Sequence, residues 1–513
     1  MYPRFRLSLQ IEGLSRFPFF LRTISNPFIS GKILDFSNPV QHYHQTSPTR
    51  FTNNHKPINP VLQNTPANTS IDHEAPKLQT LLKIHSVGSV QEIFQRLDDC
   101  NVTLSEDLVL SVLKRHRSDW KPAYTFFCWV IQTKNSSGFS PDTSIYNEIL
   151  DILGRMKRFD EFHQVLDEMS RRHFFTNERT FAVVINRLAA AHKVDEAIEF
   201  FNIMEDLGLK RDSVAFQTLL LSLCRYKHVE EAETLFYNNN KDEFTDNIKT
   251  WNIILNGWCV LRSLRDAKRF WKDIIVSNCR PDKYTYSIFI NSLSKCGKIT
   301  TSMELLRSMW DEGCEPDTTI CNTVIDGLCF KKRIPEALKI FVEMSERGCP
   351  PNVATYNTLI KHLCKIRRMD KVNELLSEME GKGGRCFPNL LTFGFLLKAA
   401  KNTQEVDGIL DRMEKIGCKL QGDTYNLVLR LFMEWGDEKR VEDIWDEMDM
   451  RGLGPDQRSY TIVIHRLYNK GKIRDALKYF HEMVSKGMVP EPSTELLVDD
   501  IKLKLNGIER GLK

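Results

Sequence analysis

The residues of this chain best suited to chemistry are its thirteen cysteines, its histidines and a regularly placed set of amides and carboxylates. No two cysteines stand as C-x-x-C, and their odd number argues against a closed disulfide framework or a zinc ribbon. They are periodic instead. Cys279, Cys314 and Cys349 lie 35 residues apart, as do Cys224 and Cys259, and Cys329 and Cys364. Thiols that follow a fixed period are expected to be small buried side chains in a reducing compartment, not ligands or nucleophiles. A zinc deaminase needs H-x-E followed by C-x-x-C, and His465 and His481 have no such context. A glycine-rich phosphate loop is also absent from the sequence. These patterns imply no catalytic residue, no metal site and no cofactor.

The period extends far beyond the thiols. Met309, Met344 and Met379 keep it, as do Ala197, Ala232, Ala267 and Ala337, and Pro281 and Pro316. One period, Thr318 to Asn352, shows how each is built. Ile320, Val324, Ile325 and Leu328 recur at helical spacing, and so do Ala337, Leu338, Ile340, Phe341 and Met344. Pro335 suits the first turn of the second helix, where a missing N–H costs nothing. Gly348 suits the left-handed residue past its end, and Pro350 and Pro351 block continuation. The result is a helix–turn–helix hairpin. Ten repeats follow this template, beginning at Thr143, Glu178, Ser213, Ile248, Lys283, Thr318, Val353, Leu390, Gly422 and Gln457. The repeat at Val353 is two residues longer than the 35-residue norm and that at Leu390 three shorter. Such a period predicts a solenoid in which each hairpin buries its apolar face on its neighbours.

The flanks differ in kind. Residues 1–70 carry seven Lys and Arg against two acids, with Arg4, Arg6, Arg16 and Arg22 spaced among Phe, Leu and Ile. That pattern predicts an organelle transit peptide leading a disordered segment, mitochondrial in preference to chloroplast; the competing reading is a basic tail that touches nucleic acid. With a net charge of +4 overall, the remainder is close to neutral, so a polyanion must be held by a local stripe. Residues 71–142 read as helical pairs, Lys77–His85 with Val90–Leu97 and Leu104–Arg115 with Pro122–Gln132. The second pair resembles a degenerate repeat. Its Tyr124, Phe126, Phe127 and Trp129 suit core packing better than base stacking. Residues 143–491 hold the ten repeats. Residues 492–513 read as a capping helix from Glu495 onward, with Ser493 or Thr494 as its cap, and leave no room for a nuclease domain. No stretch approaches the roughly 18–20 apolar residues of a membrane span.

With phrases such as VATYNTLIKHLCKIRRMDKVNELLSEME, the array resembles the pentatricopeptide-repeat family, P class, of the plant organellar type. It lacks the Trp-Leu-Gly-Tyr signature of tetratricopeptide repeats. The resemblance implies an all-α, right-handed superhelical solenoid that binds single-stranded organellar RNA sequence-specifically. Its expected roles are RNA processing, stabilisation, intron splicing or translation. It also implies that the fifth and last residues of each repeat read one base together, one base per helical repeat. The fifth residues are Asn147, Ala182, Gln217, Asn252, Ser287, Asn322, Asn357, Gly394, Asn426 and Thr461. The last are Asn177, Asp212, Asn247, Asp282, Asp317, Asn352, Asn389, Gln421, Asp456 and Glu491. Amides donate and accept, whereas carboxylates only accept.

By the family code, Asn252/Asp282 and Asn426/Asp456 favour uracil and Ser287/Asp317 favours guanine. The pairs Asn147/Asn177, Asn322/Asn352 and Asn357/Asn389 favour a pyrimidine. Residue two of each repeat flanks the base, and Val214 and Leu391 come close to the usual type. Arg155, Arg225, Lys295 and Lys365 share the thirteenth position, where the family holds RNA phosphates; a cation there also suits a helix C-terminus. A purely structural alternative makes the fifth-position amides bridges between hairpins and the last-position residues helix caps. The competing function is a scaffold that binds a protein segment. Partners implied are single-stranded RNA and other RNA-processing proteins, with the chain itself a monomer and not an enzyme.

Overall fold

The computed structural model describes residues 71–84, 90–100, 102–132, 139–171, 177–239, 247–277 and 279–511, so the leader expected over residues 1–70 lies outside it. Among the described residues every regular element is a helix, and none is long and apolar enough to cross a membrane. The chain divides into two compact units, residues 1–257 and 258–513.

The N-terminal unit opens with Ile71–Ile84 and Val90–Asp98, then Glu106–Arg115 and Trp120–Gln132. The first helix begins six residues before the expected start, with Pro76 inside it. The fourth begins two residues early, because Pro122 falls in its first turn, where an N–H has no intrahelical partner. Phe126, Phe127 and Trp129 are buried. Phe127 sits edge-on to Tyr146 at 5.3 Å, and the Trp129 indole N–H donates to Asp98 at 2.7 Å. These rings are core.

Hairpins follow. Their first helices begin at Thr143, Glu178, Ser213 and Ile248, and beyond the division at Lys283, Thr318, Val353, Leu390, Gly422 and Gln457. Local chemistry explains the starts. Asn177, Asp282, Asn352, Asn389 and Asp456 each cap the next helix, receiving the backbone N–H of Thr180, Thr285, Thr355, Thr392 and Ser459, whose hydroxyls accept from the cap's own N–H. Each such cap contributes about 1 kcal/mol. The fourth residue of the repeat packs inward: Tyr146, Phe181 and Phe216 in one unit, and Tyr286, Tyr356, Phe393, Tyr425 and Tyr460 in the other, are buried. A buried phenol needs a partner. Tyr356 donates to Glu378 at 2.8 Å, Tyr425 to Glu447 at 2.9 Å and Tyr460 to Glu482 at 2.7 Å, tying the two helices of each hairpin together. Burial, reinforced by the facing carboxylates, pushes the Tyr356 and Tyr425 hydroxyls up to about 12.

The cysteines are free thiols. Burial pushes Cys224 and Cys329 up to about 12 and Cys259 and Cys364 up to about 11, so the nucleophilic thiolate is scarce at neutral pH.

The last helix, Pro492–Gly511, starts three residues before the expected Glu495. Thr494 is not its cap. It is buried, its N–H already donates to the Glu491 carbonyl at 2.8 Å, and its hydroxyl meets His465 Nε2 at 3.1 Å. Thr494 thus takes the third place of a helix, as Thr392 and Ser459 do, with Pro492 in the tolerated first position.

Candidate nucleic-acid interface

Within each unit the first helices lie side by side. Glu178–Ala190 packs between Thr143–Arg155 and Ser213–Arg225; in the C-terminal unit Lys283–Lys295, Thr318–Phe330, Val353–Lys365, Leu390–Ala399, Gly422–Trp435 and Gln457–Asn469 form a second row. The fifth residue of one first helix therefore lies near the start of the next. Asn147, Asn357 and Asn426 are buried there, at 3–4% exposure, while Asn389 and Asp456 at the last position are exposed; Asn252 is also buried.

Two pairs are joined directly. Asn426 Nδ2 donates to Asp456 at 3.2 Å to Oδ1 and 3.3 Å to Oδ2. Asn426 Oδ1 accepts from the Ser459 hydroxyl at 2.7 Å, and that hydroxyl also lies 2.9 Å from Asp456 Oδ1. Asn357, Asn389 and Thr392 repeat the arrangement: Asn357 Nδ2 donates to Asn389 Oδ1 at 3.2 Å, and Asn357 Oδ1 accepts from Thr392 at 2.6 Å. Burial opposes ionisation of Asp456, but the Ser459 N–H and the Asn426 amide outweigh it and hold the carboxyl below its usual range. Asp456 is thus an obligate acceptor, engaged by both the Asn426 amide and the Ser459 hydroxyl.

Other sequence-derived pairs are arranged differently. Gln217, one methylene longer, bypasses the last position and donates to Thr250 at 3.2 Å. Asn352 donates to Thr318 at 3.3 Å, not to Asn322, whose buried Oδ1 has no partner among the described residues. Asn147 likewise has neither amide atom partnered among them, while Asn177 caps its helix. The Thr461 hydroxyl is spent on the Gln457 carbonyl at 2.9 Å. Asp212, Asp282 and Asp317 cap the helices at Ser213, Lys283 and Thr318, and Asn247 accepts from the Lys249 N–H at 3.0 Å. Ser287 is half-buried on its first helix. Gln421 makes no capping bond. The bridging and capping alternative is therefore physically present at several positions, alongside the paired geometry.

Arg155, Arg225, Lys295 and Lys365 each end a first helix and are exposed. Arg155 is engaged by Asp151, which also receives Arg187 at 2.8 Å. The structure adds a feature in both units that the sequence pattern does not disclose. Two residues further on, Lys157, His192, Lys227, Arg262, Lys332 and Arg367 turn the chain with φ between +58° and +72°. Gly297, Gly436 and Gly471 do the same in three other repeats. A side chain there costs roughly 1–2 kcal/mol, yet all six non-glycine residues are basic. The sequence shows their period but not their left-handed backbone. At the second position Val214 and Leu391 are exposed, at 61% and 56%, and so is Tyr284 at 61%, an aromatic that the family pattern does not single out. Among the described residues no cluster of His, Cys, Asp or Glu could hold a metal.

Stacked helical hairpins with amide–acceptor pairs across their boundaries define an all-α solenoid of helical repeats. Sequence models of the PPR repeat family match residues 246–295, 316–365 and 351–402, those of the PPR repeat match 144–174, 179–209, 284–314 and 458–488, and the pentatricopeptide repeat domain matches 408–464. A putative pentatricopeptide repeat-containing protein of Arabidopsis thaliana is 59% identical over 427 residues, covering 83% of this chain and 81% of that one. Another from the same plant, named mitochondrial, is 35% identical over 431 residues, covering 83% and 74%. The crystal structure of the pentatricopeptide repeat protein PPR10 from maize shares the fold, with a TM-score of 0.51 at 21% identity over 82% of this chain and 65% of that one. The chain belongs to the pentatricopeptide repeat family, of plant type.

Proposed function

We propose that this protein binds single-stranded RNA sequence-specifically and acts by occupancy in mitochondrial RNA processing, stabilisation, splicing or translation. The observation that carries the reading is the amide–acceptor pair at the fifth and last positions, built twice with the same geometry at Asn357/Asn389 and Asn426/Asp456. A packing bridge alone would need no ionised, exposed partner. Asp456 offers one, beside the Asn426 amide. Basic rows at the thirteenth and fifteenth positions supply the backbone contacts that give affinity, while the pairs supply sequence. The work asked of the protein is binding; no step requires it to make or break a bond. The mitochondrial part is supported by the arginine-spaced leader and by a relative named mitochondrial.

The test is selection of RNA from a randomised single-stranded pool by the full-length protein. An enriched sequence with uracil opposite the Asn426/Asp456 repeat is expected; no enrichment over bulk pool would end the reading. A fluorescent fusion of residues 1–70 tests the compartment, with diffuse cytosolic signal counting against it.

A further inference from the structure

The repeat at Leu390 departs from the template where the others are most regular. Its first helix, Leu390–Ala399, has 10 residues where its neighbour Val353–Lys365 has 13. Ala400 is already extended, with φ −60° and ψ 145°. At this truncated end lies a cavity of about 520 Å³, within the roughly 300–1,000 Å³ range of ligand pockets. Its wall holds five cations, Arg367, Lys398, Lys401, Arg430 and Arg466, against one acid, Glu434, with Trp435 and Leu431 between them. Glu434 is met by Arg466 at 3.6 Å. Arg367 donates to the last helical carbonyl, that of Ala399. The side chains of Lys398, Lys401 and Arg430 are exposed and form no ion pair among the described residues. Trp435 is only half-buried.

The position of this pocket gives it meaning. Arg155, Arg225, Lys295 and Lys365 recur at alternate repeats. The next place in that series belongs to the repeat at Gly422 and is Glu434, an acid. The cationic row therefore fails where the pocket opens, and Arg367 lies two residues beyond Lys365, its last member. The short repeat also lacks a reading pair: its fifth residue is Gly394 and its last is Gln421.

We propose that this pocket is a phosphate-binding site for the RNA strand at a repeat that does not read its base. Lys398, Lys401 and Arg430 hold the phosphodiester, and the exposed part of Trp435 takes the attached base by stacking, which tolerates any base. The strand continues past the short repeat without a sequence requirement at that step. This inference rests on the RNA-binding reading.

The experiment uses full-length protein and the single-stranded RNA that the wild type enriches from a randomised pool. Affinity is measured against salt for the wild type, for Lys398→Ala with Arg430→Ala, and for a control pair on another helix, Lys268→Ala with Lys272→Ala. The pocket variant is expected to flatten the salt slope by about 0.7 for each phosphate it no longer holds, and the control to leave it unchanged. Single methylphosphonate linkages are then walked along the RNA. One linkage should weaken the wild type but not the pocket variant, beside a base that selection leaves unspecified. Lys398→Arg with Arg430→Lys should restore the wild-type slope, which separates removal of charge from failure to fold. A pocket variant with the wild-type slope and methylphosphonate profile overturns the proposal while leaving RNA binding intact. Failure of the wild type to enrich any RNA removes both.

Discussion

The side-chain nitrogen of Asn426 donates to the carboxylate of Asp456 at 3.2 Å across a repeat boundary, and Ser459 closes the triangle by donating to Asn426 at 2.7 Å. Asp456 therefore has two duties. It caps the helix Gln457–Asn469, and it presents an ionised acceptor fixed in place by that same cap. Because the cap sets the carboxylate and the carboxylate sets the amide, the amide–acceptor pair is held by the start of the next helix. A flexible loop would give no such precision.

Asn426→Thr shortens the amide to a hydroxyl while leaving Asp456 and its cap in place. By analogy with the family code, the preference at one RNA position should change from uracil to guanine, with discrimination of about 1–3 kcal/mol. Neighbouring positions should hold. Parallel selections on randomised RNA with wild type and variant measure this. A lower melting temperature with an unchanged logo would make Asn426 a packing residue.

Arg225 and Lys295 end their helices exposed, with no ion pair among the described residues. Replacing both with Gln should flatten the dependence of log affinity on log salt by about 0.7 for each phosphate released. The selected sequence should not change, because phosphate contacts carry no base information. Titrations at several salt concentrations decide it; an unchanged slope removes both from the phosphate row.

The hairpins are legible in the sequence because their signals are local and repeated. The spacing of Ile320, Val324, Ile325 and Leu328 and the left-handed Gly348 mark a helix pair without knowledge of its neighbours. Three things are not legible. Pro122 and Pro492 tolerate helix starts upstream of where capping patterns put them, so those ends fall earlier than the pattern implies. The positive φ of Lys332 or Arg367 is imposed by the hairpin turn, and nothing in a lysine announces it. Whether the fifth and last residues join is not written in their types: Asn426 bonds Asp456, but Asn352 bonds Thr318 and not Asn322.

Asp326 ties two neighbouring repeats. It accepts from His362 Nε2 at 2.8 Å and from Lys361 Nζ at 3.2 Å, and the His362 bond, helped by Lys361, holds its carboxyl down to about 2. A carboxylate depressed by folding adds stability above its unfolded value, near 3.9, and loses it as pH falls toward the folded value. Asp326→Asn should therefore be less stable than wild type at neutral pH, by a modest amount because the side chain is half exposed and screened. The gap should close between about pH 4 and pH 2. Urea unfolding of both proteins across that range tests it, and a gap that persists undiminished below about pH 3 would contradict the assignment.

Lys332 turns its chain at φ +61°, where Gly297 and Gly436 serve other repeats at +71° and +81°. A lysine there carries strain that glycine avoids, while glycine costs some entropy in the unfolded chain. The first effect wins in a left-handed turn, so Lys332→Gly should stabilise the protein by roughly 1 kcal/mol. If the basic fifteenth positions exist to meet RNA phosphates, the same change should weaken binding at low salt and flatten the salt slope by about 0.7. Lys332→Asn tolerates the turn but removes the charge, and should weaken binding equally with little gain in stability. Chemical denaturation and RNA titration on the three proteins separate the effects. Greater stability with undiminished affinity would make Lys332 a turn residue without a part in binding, and no gain in stability would show that the turn relaxes around lysine.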